Sequence, residues 1–169
     1  MYRACGGAVK GYGRVMDTNR LKLDAFLPYR LSITSNLVSG TIANAYEALF
    51  GLRIPEWRLV AVIAEAEAIS QQAIGARTRM DKVTVSRAAI ALVDRGLIQR
   101  KPNPDDARSH LLSLTKAGEQ LYTQIMPKAL EFEARIFAGF KPAEIDRLKA
   151  MLARIDDAAE ALEAEARRG

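Results

Sequence analysis

The stretch Ser70–Leu114, SQQAIGARTRMDKVTVSRAAIALVDRGLIQRKPNPDDARSHLLSL, decides how this chain folds. It specifies a short helix, a tight turn, a second helix with a cationic outer face and a two-stranded hairpin with a charged tip. Ser70 is a natural N-cap, and Ile69 and Ile74 stand at the two positions of a hydrophobic staple. Asp81 repeats the device, with Met80 and Val85 as the staple. Gly96 then supplies the left-handed conformation that ends a helix. Two helix starts this close, separated by Arg77–Met80, have the spacing of a helix-turn-helix.

The second helix has two unlike faces. At about 100° per residue, Val85, Ala88, Ala89 and Leu92 fall on one side as an apolar stripe. Lys82, Val83, Ser86 and Arg87 lie on other faces near the helix start, with Thr84 between the two sets. A recognition helix presents its first residues to base edges, and short hydroxyl donors with one forked arginine suit a major groove. Leu97–Lys101 and Ser109–Leu114 are strand-forming runs, and Pro102, Asn103, Pro104 and Asp105 make a dense turn between them. A hairpin directly after a helix-turn-helix is a wing. Arg108, beside Asp105 and Asp106 at its tip, fits a narrow minor groove, while a neighbouring carboxylate holds the guanidinium or the loop in shape.

DKVTVSR opening the second helix, RGLIQR closing it, PDDAR at the wing tip and LSLTKAG leading out together resemble the winged helix-turn-helix of the MarR family of bacterial transcription regulators. The resemblance extends upstream through LPYRLSITSNLVSGTIANAYEALFGLRIPEWRLVAVIAE and downstream to about Leu162. It implies a mainly α-helical subunit with a small β-hairpin wing and long N- and C-terminal dimerisation helices. It further implies a homodimer on a pseudo-palindromic DNA operator, often released by a small ligand. The DNA-contacting set is then expected to be Ser70, Gln71, Lys82, Val83, Thr84, Ser86, Arg87, Asp106 and Arg108, with Asp106 as the acidic member of an Asp-x-Arg wing pattern. By the same analogy the effector is a small aromatic acid or phenol, with Arg30 meeting a carboxylate and Trp57 walling the ring.

Charge placement agrees with a polyanionic partner. The net charge is only +5, but Arg77–His110 holds eight basic residues against four acidic ones, whereas Lys141–Gly169 holds six against seven. The excess sits where the reading helix and wing are. One Cys and one His exclude a disulfide framework and a zinc site within the chain, and both fit a reduced cytoplasm. No run of eighteen uncharged apolar residues exists to span a membrane.

Outside the central stretch, residues 1–20 are rich in Gly and basic residues without an apolar period, the composition of a disordered tail. Met16 is a candidate natural start, and Cys5 lacks the structured electropositive pocket that a sensing thiol needs. Residues 21–169 read as one subunit, with a winged helix-turn-helix at 55–114 and dimerisation helices at 24–50 and 115–168. A helix from about Pro28 to Phe50, stopped by Gly51, carries Leu31, Ser35, Val38, Ile42, Ala45 and Leu49 at heptad-like spacing. Pro55 opens a second helix carrying Trp57, Val60 and Ile63, with Trp57 as a core or pocket-wall residue. Thr115 caps a helix to about Ala138, bent near Pro127. Pro142 opens the last helix, where Ile145, Leu148, Leu152, Ile155, Ala159 and Leu162 form a seam that an identical chain would cover.

Nothing in the chain reads as catalytic: there is no nucleophile elbow, P-loop or paired metal-ligand motif, no cofactor is expected, and His110 is the lone imidazole. The competing reading is a winged helix used for protein contact. The polar, cationic outer face of the second helix argues against it.

Overall fold

The computed structural model describes residues 21–104, 106 and 108–168. The tail at 1–20 with Cys5 and Met16 lies outside the described residues, as does Asp105. The chain divides into two units, 1–39 and 40–169, and the division falls inside one helix, α1 (Leu27–Phe50). In the first unit a single 3-10 turn, Leu23–Ala25, precedes α1, and Leu23, Leu27, Leu31 and Leu37 are all exposed. That turn was not foreseen, because a three-residue element carries no period to read.

The second unit runs from the end of α1 through α2 (Ile54–Ala66), β1 (Ile69–Ser70), α3 (Gln71–Thr78), α4 (Lys82–Asp94), β2 (Ile98–Pro102), β3 (His110–Leu114), α5 (Lys116–Ile136) and α6 (Pro142–Ala166). Helix starts follow the local signals: Pro55 and Pro142 occupy first turns, and Thr115 caps α5 by accepting from the Gly118 N–H at 3.1 Å. The α5 helix ends at Ile136, two residues short of the expected Ala138, and Pro127 lies inside it. Gly96, at φ +66°, ends α4 as the sequence requires.

The core is built where the periodicities meet. Leu59, Val60 and Ile63 of α2 pack with Val85, Ala88, Ala89 and Leu92 of α4, the stripe of three- and four-residue steps read from the sequence. Ile74 of α3, Ile98 of β2 and Leu112 of β3 belong to the same cluster, as do Tyr46 of α1 and Ile125 of α5. The sheet is antiparallel in the order β1-β3-β2, with Ile98 opposite Leu114 and Arg100 opposite Leu112 in the hairpin. The sequence foretold the hairpin but not β1, whose Ile69 and Ser70 pair with Leu112 and Leu111. This short strand ties the start of α3 to the inner strand of the wing.

One close approach fixes the exit from the wing. The Thr115 hydroxyl donates to the Gly96 carbonyl at 2.6 Å and the Thr115 N–H to the Leu97 carbonyl at 3.0 Å. These bonds draw the first turn of α5 against the backbone at Leu97. A Cβ at position 118 would overlap the Leu97 carbonyl oxygen, so only glycine fits.

Candidate nucleic-acid interface

Both caps of the helix-turn-helix form as expected. The Ser70 hydroxyl accepts from the Ala73 N–H at 3.2 Å, and Asp81 Oδ1 accepts from the Thr84 N–H at 2.9 Å. Between the helices Arg79 takes a left-handed conformation, φ +56°, usually reserved for Gly or Asn. The sequence carried no glycine to mark that turn. Beyond it, α4 buries Val85, Ala88, Ala89 and Leu92 and leaves Lys82, Val83 and Arg87 exposed, with Thr84 and Ser86 half-buried. Lys82, Ser86 and Arg87 have no hydrogen bond or ion pair from their side chains among the described residues.

Thr84 is different. Its hydroxyl donates to Asp81 Oδ2 at 2.6 Å, so its proton is already committed. What it still offers is an acceptor, suited to an exocyclic amino group rather than a ring nitrogen. The same bonds from Thr84, side chain first and then backbone, hold the Asp81 carboxyl below its ordinary range.

At the wing tip, Asp106 Oδ1 accepts from the Arg108 N–H at 3.0 Å, and the Ser109 N–H donates to the Asp106 carbonyl at 3.0 Å. Asn103 Nδ2 donates to the Ser109 hydroxyl at 2.8 Å and closes the loop from the other side. Of the two roles open to the carboxylate, Asp106 therefore shapes the loop. It does not hold the guanidinium, and the Arg108 side chain stays exposed without a partner among the described residues. Arg100 and Lys101 of β2 are likewise exposed, and His110 is an exposed strand-edge residue opposite Pro102. Ser70 and Gln71 are half-buried at the start of α3.

Three further charged residues, to which the sequence reading gave no role of their own, stand beside the interface. Glu56 is buried, 4% exposed, in the first turn of α2. Its Oε2 accepts from the Arg53 N–H at 2.9 Å, and its Oε1 accepts from Arg53 Nε at 3.0 Å and Nη2 at 2.8 Å. Arg95, at the end of α4, approaches Glu56 Oε2 to 3.8 Å and donates to the Gly51 and Phe50 carbonyls at 2.9 and 3.1 Å. A cleft of about 200 Å³ is lined by Arg53, Pro55, Glu56, Thr84, Arg87 and Ala88, which brings the charged cluster beside the outer face of α4. The signal that could have found Glu56 is its place three residues after a helix start, where an acidic side chain reaches back to the N-cap amide.

The two residues named for an effector stand apart in kind. Trp57 is half-buried, edge-on to Tyr46 with ring centroids 5.3 Å apart. It lines a pocket of about 130 Å³ with Tyr46, Tyr122, Met126 and Leu130 among its walls. Burial raises the Tyr46 phenol above its usual value, so it stays a protonated donor. Arg30 is exposed on α1 in the first unit, and the residues lining the Trp57 pocket are all uncharged. Among the described residues no cluster of three His, Cys, Asp or Glu could hold a metal, and no helix is long and apolar enough to cross a membrane.

A helix-turn-helix whose second helix is cationic and exposed, followed by a hairpin with an exposed arginine at its tip, defines a winged helix-turn-helix protein. Residues 50–109 match the model of the MarR family. The transcriptional regulator YwoH of Bacillus subtilis is 30% identical over 99 residues, spanning 59% of this chain and 72% of the relative. The transcriptional repressor IacR of Pseudomonas putida is 26% identical over 101 residues, 60% of each chain. Among solved structures, a MarR/EmrR family regulator from Acinetobacter sp. ADP1 superimposes with a TM-score of 0.78 at 26% identity, covering 83% of this chain and 99% of that one. The chain belongs to the MarR family of transcriptional regulators.

Proposed function

We propose that the protein is a ligand-responsive repressor that binds a pseudo-palindromic operator as a homodimer. The observation that carries this reading is the outer face of α4, where Lys82 and Arg87 stand exposed with no protein partner among the described residues while the opposite face is wholly core. Arg87 reads a guanine edge, exposed Val83 meets a thymine methyl, and Thr84 and Ser86 meet adjacent base edges. Lys82, Ser70 and Gln71 meet phosphate, and Arg108, presented by the Asp106 turn, enters the flanking minor groove. The Pseudomonas putida relative is named a repressor, which supports the direction of regulation.

Dimerisation, through the helices at 24–50 and 115–168, is supported by an uncovered apolar face on α6. Met151, Leu152, Ile155 and Leu162 are 39–67% exposed, more apolar surface than a helix ordinarily leaves in water. Two copies related by a two-fold axis place two reading helices on a two-fold operator. Replacing Ile155 with Asp should convert a dimer to a monomer in sedimentation; a wild-type monomer at every concentration sinks the two-fold reading.

The effector is a single-ring, uncharged aromatic such as a phenol, seated against Trp57. A cavity near 150 Å³ lined by apolar groups accommodates a benzene-sized molecule. The Trp57 pocket, at about 130 Å³, is of that size and is lined by aromatic and aliphatic side chains, two tyrosines among them, with no cation. A carboxylate would need a cation from outside it, the place that Arg30 would have to fill. A ligand shifts DNA affinity only by its differential affinity for the two shapes.

The experiment that tests the core of this reading is binding to duplex DNA. Random-sequence duplex should bind at low salt and be lost steeply as salt rises through counterion release, and selection from a randomised pool should return a palindrome. No affinity at low salt would instead favour a winged helix that contacts protein.

A further inference from the structure

We infer that Glu56 and Arg95 are positioning residues for DNA reading: they fix the orientation of α4 and pass a displacement of the end of α1 on to it. The inference rests on the DNA-reading function proposed above and adds the residues through which the reading face is set. Glu56 is the one charged side chain buried among the described residues. A buried carboxylate is costly unless charge and hydrogen bonds match it. Arg53 supplies three of those bonds and Arg95 the second positive charge. Arg95 in turn donates to the Phe50 and Gly51 carbonyls, at the end of α1 where helix carbonyls lack an internal donor.

Hydrogen bonds from Arg53 to Glu56 and from Arg95 to the Phe50 and Gly51 carbonyls, linked by the Arg95–Glu56 ion pair at 3.8 Å, therefore join the end of α1, the start of α2 and the end of α4. The core contacts between α2 and α4 are apolar, and apolar contact is non-directional. A forked guanidinium bonded to two carbonyls and ion-paired with a carboxylate is directional. Glu56 also lines the cleft that Thr84 and Arg87 line, which puts the carboxylate beside the reading face.

Sequence-specific and non-specific affinity respond differently to such a fastening. Base readout needs side chains aligned to base edges within hydrogen-bond range, whereas non-specific binding needs only positive charge near phosphate. Arg95, though exposed, has its guanidinium engaged by two carbonyls and a carboxylate of the protein, so its loss should blunt the first and spare the second.

The test uses the full chain and two duplexes of equal length: one recovered by the wild-type protein from a randomised pool, and a scrambled version of it. Affinities by fluorescence anisotropy at fixed salt give a specificity ratio, and circular dichroism gives the folded fraction. Arg95→Ala should lower the ratio by about tenfold or more, on the scale of a lost charged hydrogen bond. Its salt dependence on the scrambled duplex should match wild type. Arg95→Lys, which keeps the charge but not the fork, should recover part of the ratio, and Glu56→Gln should lower it. If Arg95→Ala does not fold, the last two variants carry the test. An unchanged ratio in every folded variant, with loss of stability alone, overturns the positioning role and leaves DNA reading standing. A wild-type chain that binds neither duplex at low salt overturns both.

Discussion

Replacing Gly118 with Ala should destabilise the protein, although alanine is the better helix former. In an open helix position the exchange would gain up to about 1 kcal/mol. Here the new methyl would overlap the Leu97 carbonyl oxygen and stand 3.1 Å from its carbon and 3.3 Å from Leu114 Cδ2. The obstacle is backbone at the junction of α4 and β2, pinned by the Thr115 bonds to Gly96 and Leu97, and cannot rotate aside as a side chain could. Overpacking of this kind costs roughly 1–3 kcal/mol, and moving α5 away sacrifices a cap worth about 1 kcal/mol more. The steric cost wins, leaving a net loss of about 1–3 kcal/mol. With a urea slope of about 2 kcal/mol per molar, the unfolding midpoint should fall by roughly 1 M. Protein concentration must be held fixed, since self-association would tie apparent stability to it. A midpoint that stays put or rises, with the slope unchanged, would refute the close approach.

Other perturbations have opposite or narrower signatures. Glu67 ends α2 at φ +61°, exposed and without an ion pair among the described residues, so Glu67→Gly should raise stability by about 1 kcal/mol in the same urea assay. Asp81 has a folded-state pKa depressed below its ordinary 3.8, so its contribution is present above that value and lost as pH falls through the lower one. The stability gap between wild type and Asp81→Asn should therefore be open at pH 6 and close in acid; a pH-independent gap would assign the cap's effect to shape alone. Arg87→Ala should weaken a selected duplex by roughly 1–3 kcal/mol while changing scrambled DNA far less. Arg108→Ala should make the slope of log affinity against log salt shallower by about one on either duplex. Equal behaviour of both variants on both duplexes would contradict the division into reader and wing.

What could be read in the sequence was what short-range chemistry dictates. Ser70, Asp81 and Thr115 cap the helices they were expected to cap, and each acts within three residues of itself. The stripe on α4 is likewise a property of one helix, and Gly96 of one turn. The missed features depend on residues far apart in the chain. Strand β1 exists only because Ile69 and Ser70 meet Leu112 and Leu111, and two residues carry no alternation to detect. Arg95 reaches Gly51 and Phe50 across 44 and 45 positions, a pairing that no local window contains. Thr84 shows a subtler limit: its type and helical face were legible, but not that Asp81 takes its proton. Trp57 was foreseen as core or pocket wall and has both characters, while the absence of charge around it follows from which other elements line the pocket.

The same distinction sharpens the charge argument. Counted along the chain, all eight basic residues between Arg77 and His110 look available to a polyanion. In the fold three of them are spoken for: Arg77 pairs with Glu65, Arg79 with Glu160, and Arg95 with Glu56 and the end of α1. Those three lie in the last turn of α3, in the turn before α4 and at the far end of α4. The remaining five, Lys82, Arg87, Arg100, Lys101 and Arg108, are exposed and have no acidic partner among the described residues. They occupy the start of α4 and the wing, the two places a winged helix offers to DNA. Exposed ion pairs add little to stability, so pairing Arg77 and Arg79 does less to hold the fold than to remove their charge from the count of phosphate-seeking groups. Local sequence sets how much positive charge the region carries; tertiary pairing decides which part of it faces outward. The reading surface is thus narrower, and better aimed, than composition implies.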